Sequence, residues 1–238
     1  MLDMGSEADA KTKGVGFVNV KSFATERFGA RAWEAVLERL APEDRDELSS
    51  IVSVGWYSLP LYARLIRALD EVHGYGDLAL VVQLGRYEAE RDLTTIHRVF
   101  LRFTNPAFIV EKTGEYWKRF HDSGEWKIAR EPNGVAGVLE GWGCVDHALC
   151  RELVGYLSRV LELVGAKNVI FEHPKCRARN DGQCLFRARW GHLPSESHSE
   201  RESAAASAGG GSGVRAVTRS SVDLSAEARP EAKLGSRR

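Results

Sequence analysis

The sequence lacks a long apolar run: nowhere in its 238 residues do the roughly 20 consecutive apolar residues of a membrane-spanning helix occur, which argues against a membrane partner. It lacks an excess of either charge, since 33 Lys and Arg balance 33 Asp and Glu, so the basic footprint of a nucleic-acid-binding surface is missing. Residues 1–13 lack the apolar core of a secretory leader, which predicts a cytoplasmic chain. Cysteine is sparse, with four residues, and in a cytoplasm these read as reduced thiols or metal ligands rather than as a disulfide framework. Gly-x-Gly-x-x-Gly dinucleotide loops, phosphate loops and helix-turn-helix signals are also missing, which leaves little support for an enzyme or a DNA-binding output.

What remains is a globular composition, 43% hydrophobic and 28% charged, long enough to bury a core without staples. Three regions follow from the pattern. Residues 1–13 read as a disordered arm, residues 14–192 as one domain, and residues 193–238 as a disordered tail rich in Ser, Gly, Ala and charge. The first half of the domain is helical. Val18, Phe23, Phe28, Trp33, Val36, Leu37 and Leu40 fall near helical spacing, Pro42 opens another helix, and Leu59, Tyr62, Leu65, Ile66 and Leu69 form a further stripe. A long helix is predicted from Asp77 to about Phe103, and another from Asn105-Pro106 to Phe120.

The second half changes period. Residues 125–130 and 135–142 alternate around Pro132-Asn133-Gly134, which predicts a hairpin. Asp146 caps an amphipathic helix with Leu149, Leu153, Tyr156, Leu157, Val160, Leu161 and Val164 on one face, stopped by Gly165. Strands follow over 168–172, 176–179 and 184–190, the last two around Asn180-Asp181-Gly182. The predicted fold class is α+β: an antiparallel sheet with helices packed mainly on one face and a helical N-terminal half.

Cys176 and Cys184 flank the Asn-Asp-Gly turn, and Cys150 lies in the first turn of the helix capped by Asp146. In one hairpin register the thiols share a face, and such a pair could hold zinc with Cys150 as third ligand and Glu172 or His173 as fourth. The competing reading is that these are small buried hydrophobes. For a small-molecule pocket between sheet and helices, the aromatic candidates are Phe103, Phe108, Tyr116, Trp117, Phe120 and Trp142, each of which could equally be plain core.

The stretch from Cys150 through Gly155-Tyr156-Leu157, then Val169 to Lys175, then the Cys176–Cys184 segment running on to Arg187, resembles the 4-vinyl-reductase domain family. That family shares its fold with the aromatic-sensing domain of XylR/DmpR-type activators and with trafficking-complex subunits. The resemblance covers about Trp142 to Trp190. It implies a homodimeric domain that binds a small hydrophobic or aromatic molecule, with a structural zinc on Cys150, Cys176, Cys184 and a glutamate, for which Glu172 is the candidate by residue type. The function expected is a sensor or adaptor that signals through a downstream protein. The alternatives are a scaffold that uses the same fold without a ligand, and, more remotely, a reductase accessory in pigment synthesis. A haem with His97 or His121 as axial ligand fits the size of the chain but finds no propionate-binding motif.

Overall fold

The computed structural model describes residues 10–94, 106–132 and 134–191. Seven helices and two antiparallel sheets make up this part of the chain, with the helices concentrated in the first half. Residues 1–9, the segment 95–105 with the end of the predicted long helix, and the tail from 192 lie outside the described residues.

The expected N-terminal boundary shifts. Lys11–Lys13 (β1) pairs antiparallel with Trp56–Ser58 (β2), and Ala10 is buried, so residues 10–13 belong to the fold rather than to a disordered arm. Helix α1 (Gly14–Phe28) follows, ended by Gly29 at φ +96°, then α2 (Ala32–Glu38) and α3 (Pro42–Ser49), the latter with Pro42 and Glu43-Asp44 at its start. Helix α4 (Leu59–His73) is capped by the Ser58 hydroxyl, which accepts from Leu61 N at 3.3 Å. Its apolar stripe, from Leu59 through Leu61, Leu65 and Ile66 to Leu69, is fully buried and forms the centre of the main core.

Helix α5 (Ala79–Thr94) begins where two carboxylates collect its unpaired amides. Asp77 accepts from Ala79 N at 2.9 Å, and the buried Asp70 accepts from Leu78 N at 2.8 Å and Leu80 N at 3.2 Å. Helix α6 (Pro106–Phe120) precedes a hairpin of β3 (Glu125–Glu131) and β4 (Gly134–Glu140), with Glu125 opposite Glu140 and Glu131 opposite Gly134. Helix α7 (His147–Leu163) is capped by Asp146, which accepts from Ala148 N at 2.7 Å and is gripped by Arg67 of α4 through bonds of 2.6 to 3.1 Å. Strands β5 (Lys167–Lys175) and β6 (Cys184–Gly191) complete a four-stranded sheet of order β3-β4-β6-β5. The strand expected over 176–179 is instead a 3₁₀ turn at Arg177–Arg179, closed by Asn180 in the left-handed region at φ +66°. Ile109 and Val110 of α6, with Leu157, Val160 and Leu161 of α7, pack over the sheet face that carries Trp126, Ile128, Val135, Phe171, Phe186 and Ala188.

Helices α5 and α7 touch backbone to backbone. A Cβ added to Gly85 would land on the Glu152 carbonyl oxygen, and one added to Gly155 on the Val82 carbonyl oxygen. Glycine inside a helix costs about 0.5–1 kcal/mol relative to alanine, so this reciprocal approach is what the two glycines provide in return. Gly155→Ala is therefore expected to lower the unfolding free energy by about 2–3 kcal/mol in urea denaturation, the scale of overpacking a close contact. Gly114→Ala on α6, where an added methyl meets nothing within 4 Å, is expected to be neutral or mildly stabilising.

Candidate functional site

Because α5 and α7 lie so close, side chains flanking the glycines face a common space. Glu88 and Asp92 of α5 and Glu152 and Tyr156 of α7 wall a cavity of about 260 Å³ that α1, α4, α6 and β1 close on the other sides. Tyr116, Trp117 and Phe120 of α6 form much of its apolar lining. The cavity is thus walled by helices and β1. The space between the sheet and its covering helices, where a pocket was expected, holds only an apolar gap of about 50 Å³.

The polar wall is acidic. Glu88 and Glu152 are 3% and 9% exposed. Tyr62 donates to Glu88 Oε1 at 3.0 Å, and Asp92 accepts from Tyr156 at 3.2 Å and from Asn19 Nδ2 at 3.4 Å. Glu88 and Glu152 lie close enough for the charge of one carboxylate to favour a proton on the other. Among the described residues, no Lys, Arg or His forms an ion pair with any of the three acids. Burial raises all three: Asp92 above the usual range, Glu88 well above it with Glu152 adding to the effect, and Glu152 to about 7. Burial, then the neighbouring carboxylates, also raises Tyr62 and Tyr156, which keeps both hydroxyls as donors. His121, stacked on Trp117 at 3.9 Å, borders the same cavity. Burial lowers its pKa to about 3, so its ring is neutral.

Of the aromatic candidates, Tyr116, Trp117 and Phe120 line the cavity, whereas Phe108 and Trp142 do not. Phe108 is exposed, and Trp142 is core, packed edge-on against Trp117 at 5.3 Å. Phe103 lies outside the described residues. The acids were missed, although each leaves a trace. Glu152 sits three residues after Leu149 and four before Tyr156 on the apolar stripe of α7, and Glu88 follows Leu84 by four on α5.

The cysteines form a second cluster. Cys150 Sγ lies 3.8 Å from Cys184 Sγ and 3.9 Å from Cys176 Sγ, and with His173 all four donor atoms fall within 4.8 Å of one another. Glu172 is not among them. Side chains alternate along β5, so Phe171 and His173 turn inward while Glu172 turns out to Arg189 at 2.8 Å. The His173 ring stacks on Phe186 at 4.2 Å, and Asp181 accepts from Cys176 N at 2.6 Å. The contact with Cys150, the proximity of His173 and the Arg177 amide, which donates to Cys184 Sγ at 3.5 Å, lower the Cys184 pKa to about 4, while the same contact with Cys184 raises Cys150.

Neither a protein-family model nor a curated protein matches the chain. Solved structures do. An H-NOX protein from Shewanella oneidensis in the Fe(II)NO state is similar at 18% identity and a TM-score of 0.61, over 76% of this chain and 99% of that one. Unliganded Fe(II) H-NOX from K. algicida matches at 12% identity and a TM-score of 0.60, over 76% and 98%. An H-NOX from Shewanella woodyi in the Fe(II)CO state matches at 15% and 0.57, over 78% and 97%. The likeness establishes a shared fold, in agreement with the α+β class. It corrects the resemblance to the 4-vinyl-reductase family, since the neighbours are H-NOX proteins. It also corrects the expected zinc cofactor, because these relatives are described with ferrous iron.

Two outcomes are expected. The unfolded chain releases the Glu152 proton near pH 4.5, whereas the folded chain keeps it to about pH 7. Stability therefore falls as pH rises across that window, by roughly 3 kcal/mol from Glu152, with the raised Glu88 and Asp92 adding in the same direction. Glu152→Gln reduces this slope in urea titrations between pH 5 and 8. Separately, Cys150→Ser or Cys184→Ser, each introducing a poorly matched hydroxyl at a buried site, is expected to lower stability by about 1–3 kcal/mol. Cys144→Ser, at a half-exposed position, is expected to cost under about 0.5 kcal/mol in the same assay.

Proposed function

We propose that this domain is a small-molecule-binding sensor whose ligand occupies the cavity between α1, α5, α6 and α7 and whose output passes to a partner protein. The observation that carries the reading is the cavity itself: about 260 Å³, mostly apolar, with a few polar groups converging on one wall. That is the composition of small-ligand sites, at a volume just below their usual range. A scaffold with no ligand would gain nothing from an open cavity walled by buried acids, which cost stability. A cytoplasmic homodimer is the setting proposed with it. No helix among the described residues is long and apolar enough to cross a membrane.

The neighbours carry NO or CO on ferrous iron, for which a haem would be the corresponding group here. The described residues do not fit a haem. The cavity falls below the roughly 300–1,000 Å³ that suits drug-sized ligands, and a haem is larger than these. Its polar wall is three carboxyl groups, which would oppose the propionates. Lys13 and Arg119 border the cavity, but the Lys13 ammonium donates to Val54 O at 2.9 Å and the Arg119 guanidinium lies over Tyr116 at 5.1 Å. Of the axial candidates, His97 lies outside the described residues. The ligand proposed is a smaller organic molecule held by the cavity walls alone.

Native mass spectrometry of the purified chain against a library of small aromatic compounds is expected to show one molecule bound per chain. Leu157→Trp, which fills part of the cavity, should abolish binding while the circular dichroism spectrum is kept. Binding that survives Leu157→Trp places the ligand elsewhere. A haem absorption band that appears on adding haemin and disappears in His121→Ala would overturn the exclusion of haem.

A further inference from the structure

The polar wall of the cavity specifies more than a small apolar ligand. We propose that the ligand is an organic ammonium ion, its charged nitrogen seated between Glu152, Glu88 and Asp92 and its apolar body lying against Tyr116, Trp117 and Phe120. This rests on the reading of the cavity as the ligand site. Three features of the geometry support it.

The first is the set of buried acids. Among the described residues none forms an ion pair with them, and Glu152, more than nine-tenths buried, faces the cavity beside the Glu88 carboxyl. A buried carboxylate without a cation is costly, and here the cost is met by neutral donors and by a retained proton. An ammonium group would replace that proton with a full charge and two or three N–H donors. The acceptors are also held in place. Tyr62 and Asn19 approach from α4 and α1, and Tyr156 from α7, each donating to the side of a carboxyl, which fixes the acids on rigid helices. Finally, the apolar walls suit a cation, and the two basic residues at the cavity's border, Lys13 and Arg119, are engaged by Val54 O and by the Tyr116 ring. Aromatic faces attract an ammonium ion through the ring quadrupole. His121 is held neutral by burial and has an Nδ1 without a hydrogen-bond partner, so it adds no opposing charge. An anion is repelled by this wall, and a neutral hydrocarbon leaves it unpaired.

Three probes of one shape separate the possibilities: 2-phenylethylamine, 2-phenylethanol and phenylacetate, titrated by calorimetry at pH 8 into the chain, Glu152→Gln and Leu157→Trp. The amine is expected to bind at least tenfold more tightly than the alcohol, and phenylacetate not measurably. Glu152→Gln should reduce the preference for the amine over the alcohol to under threefold, chiefly by weakening the amine, and Leu157→Trp should weaken both. Equal binding of amine and alcohol, or tighter binding of the acid, overturns the ammonium proposal and leaves the cavity as a ligand site. Binding of the amine that is indifferent to both substitutions places it on the surface and overturns the proposal. If none of the three probes binds, the ammonium proposal and the ligand-site reading fail together.

Discussion

The contact between Gly85 and Gly155 sets the geometry on which the rest depends. Two helices whose backbones meet cannot place long side chains between them at the crossing, so those on the flanking turns are driven to either side. On one side this brings Glu88 and Asp92 opposite Glu152 and Tyr156. The acids are therefore buried because the helices are close, and not because burial favours them. The free energy they forgo is supplied by the α4 stripe and the apolar face of α7, whose side chains are almost wholly removed from water at about 25 cal/mol per Å². A site of this kind, poorly solvated and set on rigid elements, is what a fold can hold only where packing elsewhere is dense.

The same helix serves a second cluster on its other face. Cys150 and Glu152 are two positions apart, which on an α-helix is a rotation of roughly 200°, so one points to the sheet and the other to the cavity. Cys150 meets Cys176, Cys184 and His173 at the turn between β5 and β6, while Asp146 at the helix start is held by Arg67 of α4. Helix α7 is thereby tied to the helical half by a charged pair and to the sheet by sulfur contacts. The ring cluster of Trp117, Trp126 and Trp142 makes the parallel connection from α6 to β3 and the end of β4.

Much of the fold was legible because its signals are local. The Asp146 cap, the Gly165 stop, the pairing of the two strands expected around residues 132–134 and the alternation of β4 each depend on a few neighbouring residues, and each appears where the pattern placed it. Convergence of the cysteines was legible for the same reason, since a hairpin brings its ends together whatever lies beyond it. The fourth member was not settled by residue type, although the period-2 pattern of β5 turns His173 inward with Val169 and Phe171 and leaves Glu172 outside. The Cys176–Arg179 strand failed because Asn180 takes a left-handed conformation and Asp181 accepts from the Cys176 amide, which curls the chain into a turn. The family resemblance drew on the C-terminal third of the domain, and likeness over the whole fold points to H-NOX proteins instead.

The cavity was the hard part, for a physical reason. An aromatic residue at helical spacing looks the same whether it fills a core or lines a void, so Trp142 and Trp117 could not be told apart by pattern. An acid inside an apolar stripe is different, because burying it without a partner is unfavourable in any setting. Glu88 and Glu152 lie on two separate helices and become one feature only when the helices cross. A single misplaced acid reads as noise; two that meet, with tyrosine donors beside them and no ion pair among the described residues, define a charge that the protein leaves for something else to balance.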